Sequence, residues 1–415
     1  MKRICPLLSL LLLFVAFSSC KKSDDNGIKP DSGINLVFTA AEQQKAAADN
    51  AFTFDLFKKA AAGNTDGSNL FLSPLSVSLA LSMTSNGANG QTLDAMKKTL
   101  DFEGFTQDEI NSYNNKLITE LPKLDANTTL KFANSIWYKQ GFDVLPAFLQ
   151  TNTNSYNAKI QALDFSNPSA PTTINNWVSD QTNGKIPKIV DQISGNDIMF
   201  LINAIYFKST WATKFDASNT SKMPFTLPDN SQVSTDFMRS GEYKCNGYTD
   251  DNLTLLEMPY TYNKYSMVIL MPASGKSLND AISTLDADTW KGLMAKMTSS
   301  TVDLSVPKFK FSYSIDLVNT LSDLGMGIAF TREADFTKIN AAGGLQITDV
   351  KHKAYVAVDE SGTEAAAATS VTVTTSAVLS HQVIVNRPFI FVIREMNTGL
   401  ILFAGTMNNP QLSGS

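Results

Sequence analysis

Apolar residues recur at helical spacing in the first half of the chain and mainly at strand spacing in the second half. The helical pattern predicts helices over residues 38–62, 89–100, 106–121, 145–156 and 170–183. The stretch SNLFLSPLSVSLALSMTSNG predicts a short strand followed by a helix. Ser73 is a natural N-cap for that helix, and Pro74 lies at its first position, where the missing N–H costs nothing.

Long apolar runs predict the strands of a large core. TTLKFANSIWYKQ is one run, and IMFLINAIYFKSTW is apolar on both faces, as in a sheet that is covered on both sides. LTLLEMPY, SMVILMPA and STVDLSVPKFKFS predict later strands, and SIDLVNTLSDLG predicts a helix that ends at Gly325. FIFVIRE and LILFAGTM flank the turn MNTG and predict a buried hairpin. Helices dominate the first half and strands the second, which predicts an α+β fold. No Pro/Gly-rich break divides residues 45–410, so we expect one domain.

The N-terminus has the pattern of an export signal. MKR is followed by PLLSLLLLFVAF, an apolar run that is too short to span a bilayer comfortably, and then by FSSC, which ends at Cys20. Residues 1–19 are therefore predicted to be a signal peptide. FSSC resembles a lipobox, which predicts a lipid on Cys20 and a membrane anchor; ordinary cleavage nearby is the alternative. Residues 20–36 are predicted to be a flexible tether and residues 37–411 the folded domain.

Composition excludes several classes of function. The 415 residues are 43% hydrophobic and carry a net charge of −5 without a basic patch, so a nucleic-acid partner is not expected. The chain has two histidines, His352 and His381, and three cysteines, Cys5, Cys20 and Cys245. Removal of the signal and lipidation of Cys20 would leave one thiol and no internal disulfide. Metal-binding, phosphate-loop and hydrolase motifs are missing from the sequence, so no metal or other cofactor is expected.

The segment VDESGTEAAAATSVTVTTSAVLSHQ, residues 358–382, has almost no large apolar side chain and no Pro. One set of alternate residues is small and then β-branched: Thr363, Ala365, Ala367, Thr369, Val371 and Val373. The other set is more polar: Glu364, Ala366, Ala368, Ser370, Thr372 and Thr374. This alternation predicts a segment that can become a central strand, with the first set facing the core and the second facing solvent. The alternative is a low-complexity surface loop without function.

Residues 36–411 resemble the serpin family. The resemblance is carried, in order, by NLFLSPLSVSLALSM, FANSIWYKQGF, INNWVSDQTNGKIPKIV, FLINAIYFKSTWATKF, VKHKAYVAVDESGTEAAAAT and NRPFIFVIREMNTGLILFAGTMNNP. It implies a monomer with a single-domain fold: a large central mixed β-sheet, two smaller sheets, about eight to nine helices and an exposed reactive loop over about 360–385. It also implies a protease inhibitor rather than an enzyme.

The resemblance implies a mechanism and assigns residues to it. A serine protease cleaves the reactive loop and becomes an acyl-enzyme, and the loop then inserts as a strand into the main sheet and distorts the protease. The implied hinge residues are Glu360, Gly362, Thr363, Glu364, Ala365, Ala366, Ala367 and Ala368. The implied breach, which closes the entry point, comprises Trp211, Lys308 and Glu360. The implied shutter, which must part, comprises Ser73, Ser76, Asn203 and His352.

The cleaved bond determines the target class. The family's spacing from Glu360 predicts the bond Ser376–Ala377, whereas counting back from NRP predicts Ala377–Val378; the candidates run from Thr375 to Val378. All are small or β-branched and uncharged, which favours proteases with a shallow pocket, of elastase or subtilisin type. Papain-like cysteine proteases stay open as targets. A non-inhibitory serpin-fold binding protein or protease substrate is the alternative function.

An acidic SDD after Cys20 resembles surface-export signals of bacterial lipoproteins, so we expect an outer-membrane lipoprotein at the cell surface.

Overall fold

A computed structural model describes residues 29–364 and 381–412 of the chain. These residues form nine α-helices: Ala40–Gly63 (α1), Pro74–Ser85 (α2), Gly90–Thr99 (α3), Gln107–Glu120 (α4), Pro146–Tyr156 (α5), Ala170–Gln181 (α6), Leu278–Thr284 (α7), Ala287–Lys296 (α8) and Val318–Leu321 (α9). The predicted start of α2 is confirmed, because the Ser73 side chain accepts from the backbone N–H of Ser76 and Pro74 is the first helical residue. Thr39 and Thr106 begin α1 and α4 with capping boxes.

The same residues form fifteen strands in two sheets. The strands are Leu70–Leu72 (β1), Thr129–Lys139 (β2), Lys159–Leu163 (β3), Met199–Thr210 (β4), Ser221–Thr226 (β5), Gln232–Thr249 (β6), Leu253–Pro259 (β7), Tyr265–Pro272 (β8), Thr298–Pro307 (β9), Phe309–Asp316 (β10), Lys351–Asp359 (β11), Gly362–Thr363 (β12), His381–Ile384 (β13), Phe389–Glu395 (β14) and Ile401–Met407 (β15). Short 3-10 turns and one π-helical turn complete the regular structure.

The six-stranded sheet has the order β10-β11-β12-β4-β2-β3. It is mixed, because β2 and β3 are parallel and the other neighbours are antiparallel. β12 has only two residues, and it is the sole ladder between β11 and β4 among the described residues. Among the described residues, β11 and β4 are therefore connected by backbone pairing only at the end where β12 lies.

The nine-stranded sheet has the order β1-β15-β14-β8-β7-β6-β9-β13, with β5 also paired to β6. Its long strand β6 pairs with β9 on both sides of an irregularity between Ser240 and Tyr243. Such a bulge bends a strand and increases its twist, which lets one strand serve two regions of a sheet. The two smaller sheets that the sequence implied are thus connected through β6, and the described residues form two sheets in place of three.

The two sheets share a core with helix α2. Phe71 of β1 stacks on Phe391 and Phe403 of the nine-stranded sheet at centroid separations of 5.5 and 5.2 Å, and it meets Phe311 of the six-stranded sheet edge-on at 6.2 Å. All four rings are buried. α2 lies against β4 and β15, so it forms part of the layer behind the six-stranded sheet. These contacts join the two sheets and α2 in one core.

Two predictions in the second half were wrong in detail. STVDLSVPKFKFS is not one strand, because β9 ends at Pro307 and β10 begins at Phe309 in the other sheet. The predicted helix SIDLVNTLSDLG begins too early, since its first residues belong to β10 and only Val318–Leu321 is α-helical. Gly325 does not end that helix; it lies within a π-helical turn with φ 110°, a conformation that suits glycine.

Part of the predicted tether lies against the domain. Lys29 exchanges backbone hydrogen bonds with the Asn127 side chain at 2.7 and 3.0 Å, and its carbonyl accepts from the Tyr262 hydroxyl at 2.7 Å. The Lys264 ammonium contacts Asn35 at 3.0 Å. The predicted signal peptide and Cys20 lie outside the described residues. Within the part that is described, no helix is both long enough and apolar enough to cross a membrane.

Candidate functional site

The entry to the centre of the six-stranded sheet is held by a partly exposed ion pair. The Lys308 ammonium, in the one-residue gap between β9 and β10, donates to both carboxylate oxygens of Glu360 at 2.9 and 2.8 Å. The Thr220 hydroxyl donates to the same carboxylate at 2.6 Å. Burial raises the pKa of Glu360, and the bonds from Lys308 and Thr220 outweigh burial and hold it below its ordinary value. Glu360 is therefore ionised and paired at neutral pH.

Trp211, the residue after β4, connects this entry to the hinge. Its indole N–H donates to the Asp359 carbonyl and its backbone N–H donates to the Ser361 carbonyl, both at 2.9 Å. Its ring is fully buried and stacks on Tyr260 at a centroid separation of 4.5 Å. The Tyr260 hydroxyl is hydrogen-bonded to the Thr363 hydroxyl. One aromatic pair thus holds the end of β4 and the hinge in one position.

The hinge residues Gly362 and Thr363 lie between the ends of β4 and β11. Gly362 is paired with Thr210 and Thr363 with Ser209. A Cβ atom on Gly362 would come within 2.0 Å of the Ser209 carbonyl oxygen, so only glycine fits this approach. Thr363 is 3% exposed and faces the core. Glu364 is on the other face, where the sequence predicted solvent, but its side chain is only 12% exposed because Lys185 covers it at 3.0 Å.

Below the hinge, a cavity of about 640 Å³ is lined by β4 and β11 and by helix α2. We call it the β4–β11 cleft; its walls are residues 198–203 and 344–352, and Ser76, Ala80 and Thr84 are on its α2 side. No backbone ladder joins β4 to β11 along it in the described part of the chain. The cleft lies toward the other end of both strands from β12, because β12 pairs with residues 209–210 and 358–359, whereas residues 199–203 of β4 and 351–352 of β11 line the cleft.

Polar side chains meet at the base of the cleft. The backbone N–H of Ser73 donates to His352 Nε2 at 3.0 Å, and the Ser73 hydroxyl donates to the Leu402 carbonyl at 2.8 Å. The Ser76 hydroxyl donates to the side-chain oxygen of Asn203, whose amide donates in turn to Asn134. The structure therefore brings the four predicted shutter residues into one hydrogen-bonded group, because the backbone N–H of Ser76 donates to the Ser73 hydroxyl at 3.2 Å. Such groups can exchange partners when strands separate.

Three further residues belong to this site, and sequence reasoning missed them. They are Thr220, Tyr260 and Asn134. Asn134 had a detectable signal, since it is a lone amide within the apolar run of β2 and pairs directly with Asn203 of β4. Thr220 and Tyr260 had none, because the site residues that they contact lie far away in the sequence.

Other candidate groups are inert or lie outside the described residues. Burial raises the pKa of the Cys245 thiol, which disfavours the reactive thiolate. His381 is exposed at the start of β13. Among residues 29–364 and 381–412, no cluster of acidic, His and Cys side chains could hold a metal ion. Ala365, Ala366, Ala367 and Ala368 of the hinge, and the bond candidates Thr375, Ser376, Ala377 and Val378, lie outside the described residues.

Comparisons with known proteins agree on one family. A family model described as "Serpin (serine protease inhibitor)" matches residues 47–410. Leukocyte elastase inhibitor of Xenopus laevis is 35% identical over 370 residues, which cover 86% of this chain and 97% of the relative. The native crystal structure of the thermophilic serpin tengpin has a TM-score of 0.81 at 35% identity, covering 91% of this chain and 96% of that chain. Human thyroxine-binding globulin, solved in complex with thyroxine, has a TM-score of 0.82 at 30% identity, covering 90% of this chain and 100% of that chain.

The buried His352 makes the stability of the site depend on pH. Burial lowers its pKa to about 4 from 6.5. The folded state therefore favours the neutral imidazole. The stability that His352 contributes in this form is fully present above pH 6.5 and is lost as the pH falls from 6.5 to 4. The loss amounts to about 3 kcal/mol at the acid end. We expect the free energy of unfolding to fall by this amount relative to His352→Gln, measured by chemical denaturation at pH 7.5, 5.5 and 4.

The comparison with His352→Gln is necessary because Asp49 titrates in the opposite sense. Burial raises the pKa of Asp49 to about 6. The contribution of Asp49 to the free energy of unfolding therefore becomes more favourable as the pH falls below 6. Subtracting the two curves removes this term, because both proteins contain Asp49. A flat difference between pH 7.5 and 4 would contradict the assignment of a buried neutral His352.

The close approach at Gly362 can be tested by adding one methyl group. Gly362→Ala should expel β12 from between β4 and β11, since the Cβ cannot fit against the Ser209 carbonyl. We expect the intact protein to lose about 1–3 kcal/mol of stability, with a changed Trp211 emission, measured by guanidinium denaturation and fluorescence. Gly292→Ala is the control, because its Cβ would meet no atom within 4 Å and it lies in α8. Equal stability of the two variants would refute this account of the hinge.

Proposed function

The chain belongs to the serpin family, and from this premise we propose that it is a suicide inhibitor of serine endopeptidases rather than an enzyme. A target protease cleaves the loop that follows Glu364. The loop then enters the six-stranded sheet beside β4 before the acyl bond is hydrolysed, and the protease is trapped as a covalent ester. Formation of the new strand makes the trapping step irreversible.

One observation carries this proposal: the hinge already occupies the first two places of an inserted strand. Gly362 and Thr363 pair with both β4 and β11, and in the described residues no further ladder joins these two strands between the hinge and the cleft at their other end. A strand that continued from Thr363 would satisfy the facing edges of β4 and β11 along the cleft. This arrangement supports a mechanism in which insertion propagates from the hinge downward.

The size of the driving force fits the mechanism. An inserted segment could form roughly ten new backbone hydrogen bonds, each worth about 0.5–1.5 kcal/mol net. Burial of Val371 and Val373 would add to this. The total is on the order of 10 kcal/mol, enough in principle for insertion to compete with hydrolysis of the ester. Small residues from Ala365 to Ala368 would pass between β4 and β11 without steric obstruction.

The residues at the cleaved bond favour proteases with a shallow pocket. We propose Ser376–Ala377 as the bond, with Thr375 and Val378 at the limits of the candidates, and elastase-like or subtilisin-like enzymes as targets. The similarity to leukocyte elastase inhibitor supports this choice. Papain-like cysteine proteases are a further target class. The inhibitor is proposed to act as a monomer and without a cofactor.

A non-inhibitory binding role is the second candidate. It is favoured by the structural likeness to human thyroxine-binding globulin, which was solved as a complex with thyroxine. A binding protein would not need a hinge that can enter the sheet. The buried, small Thr363 and the open cleft below it favour inhibition over this alternative.

We also propose that the protein is exported and anchored by a lipid on Cys20. The support is the sequence alone: a basic start, a short apolar run and small residues that lead into Cys20. The acidic SDD after it favours the outer surface of the outer membrane, where the loop would meet proteases from outside the cell.

The inhibitor mechanism predicts a covalent complex. Mixing the purified protein with pancreatic elastase, neutrophil elastase, subtilisin, trypsin and papain should give a complex stable to boiling in detergent with at least one of the elastase-like or subtilisin-like enzymes. Intact mass should show a released peptide that begins at Ala377 or Val378. Cleavage of the loop by these enzymes, with protease activity persisting and no complex, would favour the non-inhibitory alternative.

A matched pair of variants tests whether the complex depends on insertion. Ala367→Arg places a charge in the set that would face the core, whereas Ala366→Arg places it in the outward set. We expect the first variant to be cleaved as a substrate with at least a tenfold loss of complex, because an unpaired buried charge is costly. The second variant should keep most of its inhibition. Equal behaviour of both variants would contradict strand insertion.

Lipidation predicts a change in partition when Cys20 is replaced. The full chain expressed in a bacterium should incorporate labelled fatty acid and enter the detergent phase, and Cys20→Ala should lose both properties. Cys245→Ala is the control, since Cys245 is buried in β6 and should not be acylated. Fatty-acid labelling that survives Cys20→Ala would refute the anchor.

A further inference from the structure

Glu364 directly follows β12 and has an unusual backbone conformation. Its φ is +52°, in the left-handed region that disfavours residues other than glycine, Asn and Asp. Its backbone N–H nevertheless donates to the Ala357 carbonyl at 2.7 Å, as it would in a strand that continued between β4 and β11. Glu364 is therefore partly in register with β11, and its left-handed φ departs from the extended backbone that a continuing strand would need.

Lys185 holds the Glu364 side chain in this position. Its ammonium lies 3.0 Å from the Glu364 carboxylate and 5.0 Å from the centre of the Tyr355 ring on β11. Burial lowers the pKa of Lys185, but the hydrogen bond and charge of Glu364 outweigh burial and raise it above its ordinary value. The Lys185 backbone is itself fixed, because its N–H donates to the Thr182 carbonyl at the end of α6. The contact thus ties the hinge to the α6 end.

The register of the sheet supplies a second partner for the same carboxylate. Gly362 lies opposite Thr210 and Thr363 opposite Ser209, so an extended Glu364 would lie opposite Lys208. Lys208 is half-buried on the outer face, between the buried Phe207 and Ser209. It makes no ion pair within the described residues. Directly opposite residues of an antiparallel pair have Cβ atoms about 4.5–5.5 Å apart, within reach of a salt bridge.

We propose that Lys185 is a positioning residue that holds Glu364 at the limit of the resting insertion, and that the first step of further insertion transfers the Glu364 carboxylate from Lys185 to Lys208. The transfer needs one backbone rotation at Glu364, from left-handed to extended, and no covalent change. The inference rests on the proposed function, because it assigns control of the insertion step. Lys185 restrains the step, and Lys208 promotes it.

The rate of insertion tests the transfer. The purified protein would be mixed in a stopped-flow instrument with subtilisin at concentrations high enough that the observed rate no longer rises, with tryptophan emission as the readout. Lys185→Met should speed insertion roughly two- to fivefold, because the resting state loses its ion pair. Lys208→Met should slow it by a similar factor. Lys185→Arg should restore the original rate, since it keeps the charge.

The controls separate charge transfer from packing. In a Glu364→Gln background, both methionine substitutions should leave the rate unchanged, because the shared carboxylate is missing. Lys188→Met is the matched control, since Lys188 lies in the same loop and pairs with the exposed Asp191 at 2.9 Å. If Lys185→Met retains its effect in the Glu364→Gln background, Lys185 acts through packing on Tyr355 and the proposal is overturned.

A separate measurement distinguishes failure of this inference from failure of the proposed function. Wild-type protein cleaved by subtilisin should gain at least 20 °C in melting temperature if the loop inserts at all. No gain would overturn insertion and the Lys185 assignment together. A gain, with equal insertion rates for Lys185→Met and Lys188→Met, would overturn the Lys185 assignment alone.

Discussion

The arrangement of this protein depends on one missing ladder at the centre of a sheet. β4 and β11 are neighbours, yet in the described chain they are joined only through Gly362 and Thr363. Strand edges carry backbone donors and acceptors that gain stability when a partner pairs with them. Two such edges that face each other form a site for one more strand. In the proposed mechanism, the fold therefore leaves a favourable strand pairing unformed and must prevent it from forming before the loop is cleaved.

The base of the cleft is suited to this task because its contacts are polar. A layer of interlocked leucines would oppose separation of the strands, since interiors are densely packed and deform poorly. Here the walls of the cleft are tied to α2 and its N-cap by single hydrogen bonds, such as those of His352 to Ser73 and of Asn203 to Ser76. Such bonds can be exchanged one at a time at a net cost of about 1 kcal/mol each. The polar residues thus give the sheet a defined resting state without making it rigid.

The sequence predicted what depends on local pattern and missed what depends on single distant contacts. Ser73 and Pro74 predicted the start of α2, and the long apolar run predicted the buried strand β4. The sequence predicted one strand where Lys308 separates β9 from β10. Pro307 indicated this break, because proline cannot donate to a central ladder. Thr220 and Lys185 could not be found, because each meets a hinge residue from a separate part of the chain: Thr220 lies 140 residues before Glu360, and Lys185 forms an ion pair with Glu364. The family resemblance supplied Glu360 and Lys308 as a pair, which neither spacing nor composition would have done.

The contacts at the hinge explain why control is concentrated at one end of the cleft. Full insertion would release on the order of 10 kcal/mol, whereas the ion pair of Glu360 with Lys308 is partly exposed and a pair of that kind contributes about 1 kcal/mol or less. Contacts of this size cannot make the resting state the more stable one. They can, however, act as a barrier, because the proposed insertion would begin at the hinge and these contacts would have to change before the first new ladder bond formed. A restraint placed lower in the cleft would act only after much of the gain had been realised. In the proposed mechanism the resting state is therefore kept by kinetics, and a few hydrogen bonds around Glu360, Thr363 and Glu364 suffice because they act on the first step.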